Sequence, residues 1–302
     1  MSESGTRSFF RKGRNCWRIA HAGRAAVLID ADRYFSVLRR VAAAARHSIL
    51  IIGWDVDSRM SSLTPAEDPG DGLPGRLGEF LDALARSRKS LHIHVLDWDF
   101  TMLYAADREF LPIYNLGWRT HKRVHFHLDD RHPAGASHHQ KIVVVDDAIA
   151  FVGGIDLSKS RWDTPEHRPG DERRRTLDGE PYPPFHDVQM MVDAEAAAAV
   201  GALARRRWRR ATGDDLEAPA ETGRAAWPAS VEPDFRDIEV AVARTEPAYE
   251  GGEKVCEVKA LYLDAIAAAR RTLYLENQYF TALDIARAIA AYRCRRASGV
   301  PR

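Results

Sequence analysis

Residues 139–156 constrain the fold of this chain more than any other stretch. The segment opens with His139 and Lys141, continues through the apolar run 142–145, and then reaches Asp146. A short apolar run with polar residues on both sides predicts a buried β-strand. Successive side chains on a strand point to opposite faces, so His139 and Lys141 project from the same face about 7 Å apart. The sequence therefore predicts an imidazole and an ammonium side by side on one rigid element.

This pairing suits chemistry on phosphate esters. An imidazole can attack or carry protons near neutral pH, and an ammonium can hold a phosphoryl oxygen. Asp146 has the opposite parity, so strand geometry predicts that it anchors the strand end rather than touching substrate. Gly153 and Gly154 follow at the end of the next apolar run. They either let the backbone approach a phosphate or form an ordinary turn.

Composition bounds the class of protein. The 302 residues are 45% hydrophobic and 29% charged, which is typical of a soluble globular protein. A formal net charge of +1 argues against bulk electrostatic capture of nucleic acid. No apolar run approaches the roughly 20 residues of a membrane helix, and no secretory signal is visible at the N-terminus. The 3 cysteines are isolated, so we expect a reduced, cytoplasmic location.

The order of apolar patterns predicts the architecture. Strand-like runs alternate with helical spacing from Ala25 onward, which indicates an α/β sandwich with a mixed, largely parallel sheet flanked by helices. A polar loop rich in Arg, Gly and Pro separates Leu157 from Pro184. The predicted division is a basic N-terminal segment 1–24, a first lobe 25–212, a linker 213–237, and the start of a second, truncated lobe 238–302.

An internal repeat supports the second lobe. Residues Ala43–Ile51 and Ala267–Leu275 both run from an alanine-rich helix end through arginine and a small hydroxyl residue into an apolar strand pattern. A repeat of this kind indicates two copies of one structural unit. The position equivalent to His139 in the second copy falls beyond residue 302. We therefore expect a second unit that begins with a helix and a strand but stops before its own catalytic strand.

The pattern H-x-K-x4-D followed by a glycine pair resembles the signature of the phospholipase D superfamily, and Asp156 fits its phospholipase D and cardiolipin-synthase-like branch. The chain carries the first of the two motifs of that superfamily. The resemblance implies a phospholipid phosphodiesterase that works through a phosphohistidine intermediate, by hydrolysis or by transfer to another alcohol. It also implies that the missing second motif impairs the activity.

The same resemblance assigns the site. It implies His139 as nucleophile or acid/base partner and Lys141 as the cation that neutralises the phosphoryl oxygens. Asp187 starts a strand after the long loop; it either backs the catalytic histidine or caps a turn, and His186 beside it fits a structural role better than a catalytic one. The implied catalytic set is His139, Lys141, Asp146 and Asp187, and the implied substrate-binding set is Gly153, Gly154 and Asn277, with no metal and no cofactor.

The resemblance and the composition together predict the partners. We expect a phospholipid substrate, a transient contact with the membrane surface, and no nucleic acid. A homodimer would bring two motifs together, although the partial second lobe argues against that route. The alternatives are a nucleic-acid phosphodiesterase of the same superfamily and a truncated product without activity. The cluster Arg205–Arg210 around Trp208 could contact anionic lipid, but a helix end with a solvated face is the commoner role.

Overall fold

The computed structural model of the 302-residue chain describes residues 9–61, 70–99, 121–220 and 227–297. Ten strands and five helices lie within these ranges. The strands are β1 Arg18–Ile29, β2 Ser48–Gly53, β3 His92–Trp98, β4 Val124–Asp129, β5 Lys141–Val145, β6 Ile149–Gly153, β7 Val188–Asp193, β8 Phe235–Val242, β9 Thr245–Glu246 and β10 Val255–Cys256. The helices are α1 Asp30–Ala43, α2 Leu77–Ser87, α3 Ala194–Thr212, α4 Glu257–Ala268 and α5 Leu283–Ala297.

One eight-stranded sheet carries the motif strand in its interior. The strand order is β4-β3-β2-β5-β6-β7-β1-β8. Strands β2, β3 and β4 pair in parallel, whereas β5 pairs antiparallel with β2 and β6, and β7 pairs antiparallel with β6 and β1. The predicted α/β class with a mixed sheet flanked by helices is confirmed.

Helices cover both faces of this sheet. Apolar residues of α1 and α2 share one core with alternate residues of the central strands, including Ile49, Ile51, Val143 and Val145. Helix α3 packs against β5 and β6. Because strand side chains alternate between faces, the run 142–145 must be apolar throughout to serve both layers. No helix within the described ranges is both long and apolar enough to cross a bilayer.

The chain divides into two compact units. One comprises residues 20–239 and contains the motif strand, and the other comprises residues 1–19 and 240–302. The described residues 9–19 belong to the same unit as the residues from 240 onward, whereas the sequence analysis predicts a separate segment 1–24. The predicted domain boundaries and the linker 213–237 remain a prediction.

The strand predicted after α4 is not formed. Residues 272–280 have no strand conformation, and the side chains of Tyr274 and Tyr279 are exposed. A strand satisfies its backbone only beside another strand. In the described part of this unit, β9 and β10 form a separate two-stranded sheet, and the helices α4 and α5 pack around Ile266, Ile285 and Tyr292. Helix α5 is a feature that the sequence did not predict.

The basic stretch of α3 serves packing. Arg205 forms two hydrogen bonds to the Asp147 carboxylate, and Arg207 pairs with buried Asp129 at 2.5 Å. Trp208 is buried and lies edge-on to the ring of His94. Arginines that are paired to the body of the protein stabilise the docking of a helix. A role for Trp208 at a membrane interface is therefore not supported by its position.

Asp146 ties the hairpin β5–β6 to the start of β2. Its carboxylate accepts hydrogen bonds from the backbone N–H groups of Arg46, His47 and Ser48 at 2.7, 2.8 and 2.7 Å. Asp146 and Asp147 both have positive φ, of 52° and 51°, and the Ala148 N–H donates to Val145 O. Aspartate tolerates this left-handed conformation better than most residues. The motif aspartate therefore anchors the strand.

We predict that Asp146→Ala lowers the free energy of unfolding by about 2–4 kcal/mol, because it leaves three backbone N–H groups without an acceptor. Asp146→Asn keeps one carbonyl oxygen and the tolerance for positive φ, so it should cost clearly less. Urea unfolding followed by circular dichroism measures both. Equal losses for the two variants would contradict the anchoring role.

Candidate active site

His139 and Lys141 lie on the same side of the sheet, beside Trp54. The Trp54 ring centroid lies 5.9 Å from that of His139 and 5.8 Å from the Lys141 Nζ. Gln140, between them, points the other way and accepts a hydrogen bond from Arg207 of α3. The alternation predicted from the sequence thus places the imidazole and the ammonium together. His139 is exposed and Lys141 is buried.

Asp156 holds the ammonium in place. Its Oδ2 lies 3.1 Å from Lys141 Nζ, and both side chains are almost fully buried, with exposures of 3% and 4%. Its Oδ1 accepts the backbone N–H of Trp54 at 3.0 Å and of Asp55 at 3.4 Å. Sequence reasoning did not assign Asp156 to the site. The signal that could have revealed Asp156 is Lys141 at the start of an apolar strand, because a buried ammonium requires a nearby carboxylate.

The glycine pair lets two strand ends come unusually close. A Cβ on Gly153 would lie 2.2 Å from the Val188 carbonyl oxygen, and one on Gly154 would lie 2.2 Å from both carboxylate oxygens of Asp187. Any side chain at Gly154 would therefore displace Asp187. The two glycines are required by contact between β6 and the start of β7, rather than by a turn.

Asp187 acts on the site through its charge. Its Oδ1 accepts the Val188 N–H at 2.7 Å. In addition, its negative charge opposes the lowering of the pKa values of His139 and Lys141 by burial. The His139 ring makes no hydrogen bond to Asp187 within the described part of the chain. The assignment of Asp187 to the catalytic set remains a prediction.

Burial lowers the pKa values of both motif side chains. For His139, partial burial and then the Lys141 charge lower the pKa below its ordinary value of 6.5. For Lys141, burial lowers the pKa below 10.5, and Asp156 opposes this shift. The imidazole is thus neutral and nucleophilic at neutral pH, next to a cation that its partner carboxylate keeps in place.

Two residues of the predicted set make other contacts within their own units. The Asp146 carboxylate binds backbone amides at the start of β2, so its contribution to a catalytic set would be indirect. Asn277 belongs to the other unit, where it is exposed and its side-chain oxygen accepts the Tyr279 N–H at 3.0 Å. Its assignment to substrate binding remains a prediction.

A carboxylate and two imidazoles converge near Asp187. One ligand atom each from Asp30, His167 and His186 lies within 4.8 Å of the others. His186 Nδ1 is 2.7 Å and His167 Nε2 is 3.4 Å from the buried Asp30 carboxylate, and Asp163 lies 3.0 Å from His167 Nδ1. Two imidazoles and a carboxylate suit Zn²⁺ or a similar divalent ion. These residues are far apart in sequence, so spacing gave no sign of them.

Comparison with known families identifies the class of protein. The family model for phospholipase D matches residues 41–284, which is more than half of the chain. The chain belongs to the phospholipase D family.

The relatives that this chain resembles include phospholipases D of plants and of Dictyostelium discoideum. The chain is 26% identical to phospholipase D alpha 1 of Vigna unguiculata and 28% identical to that of Ricinus communis, each over 78% of this chain. It is also 28% identical to phospholipase D C of Dictyostelium discoideum over 61% of this chain. The alignments span 38%, 37% and 12% of those proteins, so the chain covers well under half the length of these relatives.

Solved structures that match this chain include the phospholipase D family member Nuc from Salmonella typhimurium. That match has 12% identity and a TM-score of 0.34, and it covers 64% of this chain and 99% of Nuc. Phosphatidylserine synthase from Haemophilus influenzae matches with 11% identity and a TM-score of 0.37, over 61% of this chain and 38% of the synthase.

We predict that the His139 imidazole titrates below pH 6.5 in NMR spectra, because burial and Lys141 disfavour its charged form. Arg161→Ala should raise this pKa, since Arg161 contributes to lowering it, and Asp187→Asn should lower it further. The resonance is assigned by its loss in His139→Asn. Shifts in the opposite directions would show that these charges do not act on the ring.

We predict that Zn²⁺ raises the melting temperature of the protein through Asp30, His167 and His186. An ion at a hundred times its Kd stabilises the folded state by about 2.7 kcal/mol. The matched control is His167→Gln, which should melt at the same temperature with and without the ion. If the three groups are instead held together by protons, the melting temperature will depend on pH and not on Zn²⁺.

Proposed function

We propose that the face bearing His139 and Lys141 cleaves phosphodiesters, with phospholipids as the substrate class. The observation that carries the proposal is an exposed imidazole beside a buried ammonium that is fixed by Asp156. An exposed nucleophile next to a fixed cation suits an electrophile whose oxygens gain negative charge during reaction. Relatives named phospholipase D support the choice of phospholipid.

The proposed reaction has two displacements. In the first, an imidazole nitrogen of His139 forms a bond to phosphorus while the bond from phosphorus to the alcohol oxygen breaks, and the alcohol leaves with a proton from an acid. In the second, water or another alcohol attacks the phosphohistidine, loses a proton to a base, and releases His139. Lys141 stabilises the phosphoryl oxygens in both steps, so these steps require only groups of the polypeptide.

A second acid/base group must face His139 across the phosphorus. In-line displacement places the nucleophile and the leaving group on opposite sides, so one imidazole cannot serve both. A positioned general acid contributes about 10²–10⁴-fold in rate. We propose that the opposing group comes from a second H-x-K surface, on another copy of the chain or on a separate lobe.

The test measures release of head group from phosphatidylcholine and phosphatidylglycerol vesicles and from an oligonucleotide. We expect turnover near background for the chain at concentrations where light scattering shows a monomer. Addition of a polypeptide with a second H-x-K motif should raise turnover of lipid, and His139→Asn should reduce it by about three orders of magnitude or more. The control His92→Asn changes an exposed histidine at the start of β3 and should leave turnover unchanged.

Robust turnover by a monomer would overturn the need for an opposing group. Cleavage of the oligonucleotide with no cleavage of lipid would favour the nucleic-acid phosphodiesterase instead. Full activity in His139→Asn would exclude the proposed nucleophile.

A further inference from the structure

A cavity lies between the β6–β7 loop, Phe35 of α1, and the residues Met60 and Ser61. It has a volume of about 220 Å³, and its polar lining comes mainly from Lys159, Ser160, Arg161, Arg173, Arg175 and Tyr182. None of His139, Lys141, Asp156 or Asp187 lines it. The cavity is therefore separate from the proposed reaction site.

The lining is strongly cationic. Four basic side chains contribute to it, and no carboxylate of the described residues does. Arg173 is neutralised by Asp171, with a closest contact of 2.6 Å, and lies over the Trp162 ring. Lys159, Arg161 and Arg175 have no ion pair within the described ranges. Three uncompensated cations around one small space will attract an anion.

Backbone geometry directs these cations into the cavity. Ser160 has a φ of 57°, an uncommon left-handed conformation for a residue other than glycine. This local reversal lets the flanking Lys159 and Arg161 line the same space. Arg175 uses one N–H for the Gly179 carbonyl oxygen at 2.8 Å, which orients the guanidinium and leaves further donors for a ligand.

The remaining hydrogen-bond donors of the cavity indicate which class of anion it can bind. The Tyr182 hydroxyl donates to the Trp162 carbonyl oxygen at 2.9 Å, and burial raises the pKa of Tyr182 to about 12, so this group stays protonated and forms a neutral wall. The donors that remain are an ammonium, guanidinium groups and the Ser160 hydroxyl. These groups match the several oxygens and the double charge of a phosphomonoester.

Two residues of the cavity lining, Ser158 and Arg161, also interact with groups of the proposed reaction site. The Ser158 hydroxyl donates to the Asp55 carboxylate, and Asp55 follows Trp54, which contacts both motif side chains. Arg161 lines the cavity and also lowers the pKa of His139.

We propose that this cavity is a second phosphate-binding site that takes a phosphomonoester, either free or at the end of a lipid head group. The proposal concerns binding and stands whether or not the chain cleaves a diester.

Calorimetric titration with inorganic phosphate and with glycerol 1-phosphate tests the binding. The titrations use the full chain carrying His139→Asn, so that loss of the reaction site cannot be confused with loss of the cavity. The cavity variant adds Lys159→Ala and Arg175→Ala. The charge-matched control adds Arg46→Ala and Lys89→Ala instead, which removes the same number of cations from exposed positions.

We expect saturable binding to His139→Asn, a loss of about tenfold or more in affinity in the cavity variant, and no change in the control. Binding that disappears with His139→Asn alone, or that falls equally in the cavity variant and the control, would overturn the proposal. If the cavity variant melts at a lower temperature than its parent, the single change Lys159→Gln is used in its place. A crystal of the His139→Asn chain, which keeps Lys159, is soaked in tungstate and should show the anion within hydrogen-bonding distance of Lys159 Nζ.

Vesicles identify the source of the phosphate. Phosphatidylcholine vesicles that contain phosphatidate present a phosphomonoester, whereas those that contain phosphatidylglycerol present a diester. Flotation with the phosphatidate vesicles but not with the phosphatidylglycerol vesicles, lost in the cavity variant, supports a lipid head group. Cavity-dependent binding of free phosphate without any such flotation supports a free ligand. Equal flotation of the cavity variant and the control, together with unchanged affinity for free phosphate, would exclude both.

Discussion

The buried ion pair between Lys141 and Asp156 is the interaction on which the rest of the site depends. Removal of an ammonium from water is costly unless a carboxylate compensates it, and loss of one partner of such a pair typically costs about 3–5 kcal/mol. Asp156 follows β6 by three residues, and its Oδ2 lies 3.1 Å from Lys141 Nζ. The same carboxylate also binds the backbone of Trp54. Asp156 therefore holds both the Lys141 ammonium and the backbone of Trp54 in place.

Close packing of backbones provides the second constraint. Gly153 pairs with Lys141 on one side and with Gln189 on the other, so the backbone of β6 carries the motif strand and β7 in register. Absence of a side chain at Gly154 lets the Asp187 carboxylate lie against the backbone. The charges around His139 are thus placed by strand register rather than by flexible side chains. Burial and the Lys141 charge lower the pKa of the imidazole, and the Asp156 and Asp187 carboxylates oppose this shift.

Local patterns were enough to predict the features that depend on neighbours in sequence. Strand alternation placed His139 and Lys141 on one face, and the parity of Asp146 predicted its anchoring role. The pattern failed at Thr272, because a strand depends on partners that a local pattern does not reveal. The cluster of Asp30, His167 and His186 was also missed, since its members meet only after β1 and β7 pair.

The net charge does not describe how charge is distributed over this chain. A value of +1 for the whole chain averages over arginines that are neutralised inside the fold, such as Arg205 on Asp147, and cations that are not. Lys159 and Arg175 belong to the second class, and both lie in the loop that joins the motif hairpin to β7. A loop on the surface can keep unpaired charges because water solvates them until a ligand arrives. The β6–β7 loop therefore contributes to two groups of residues: His167 belongs to the carboxylate–histidine cluster near Asp187, and the unpaired cations line the proposed phosphate site.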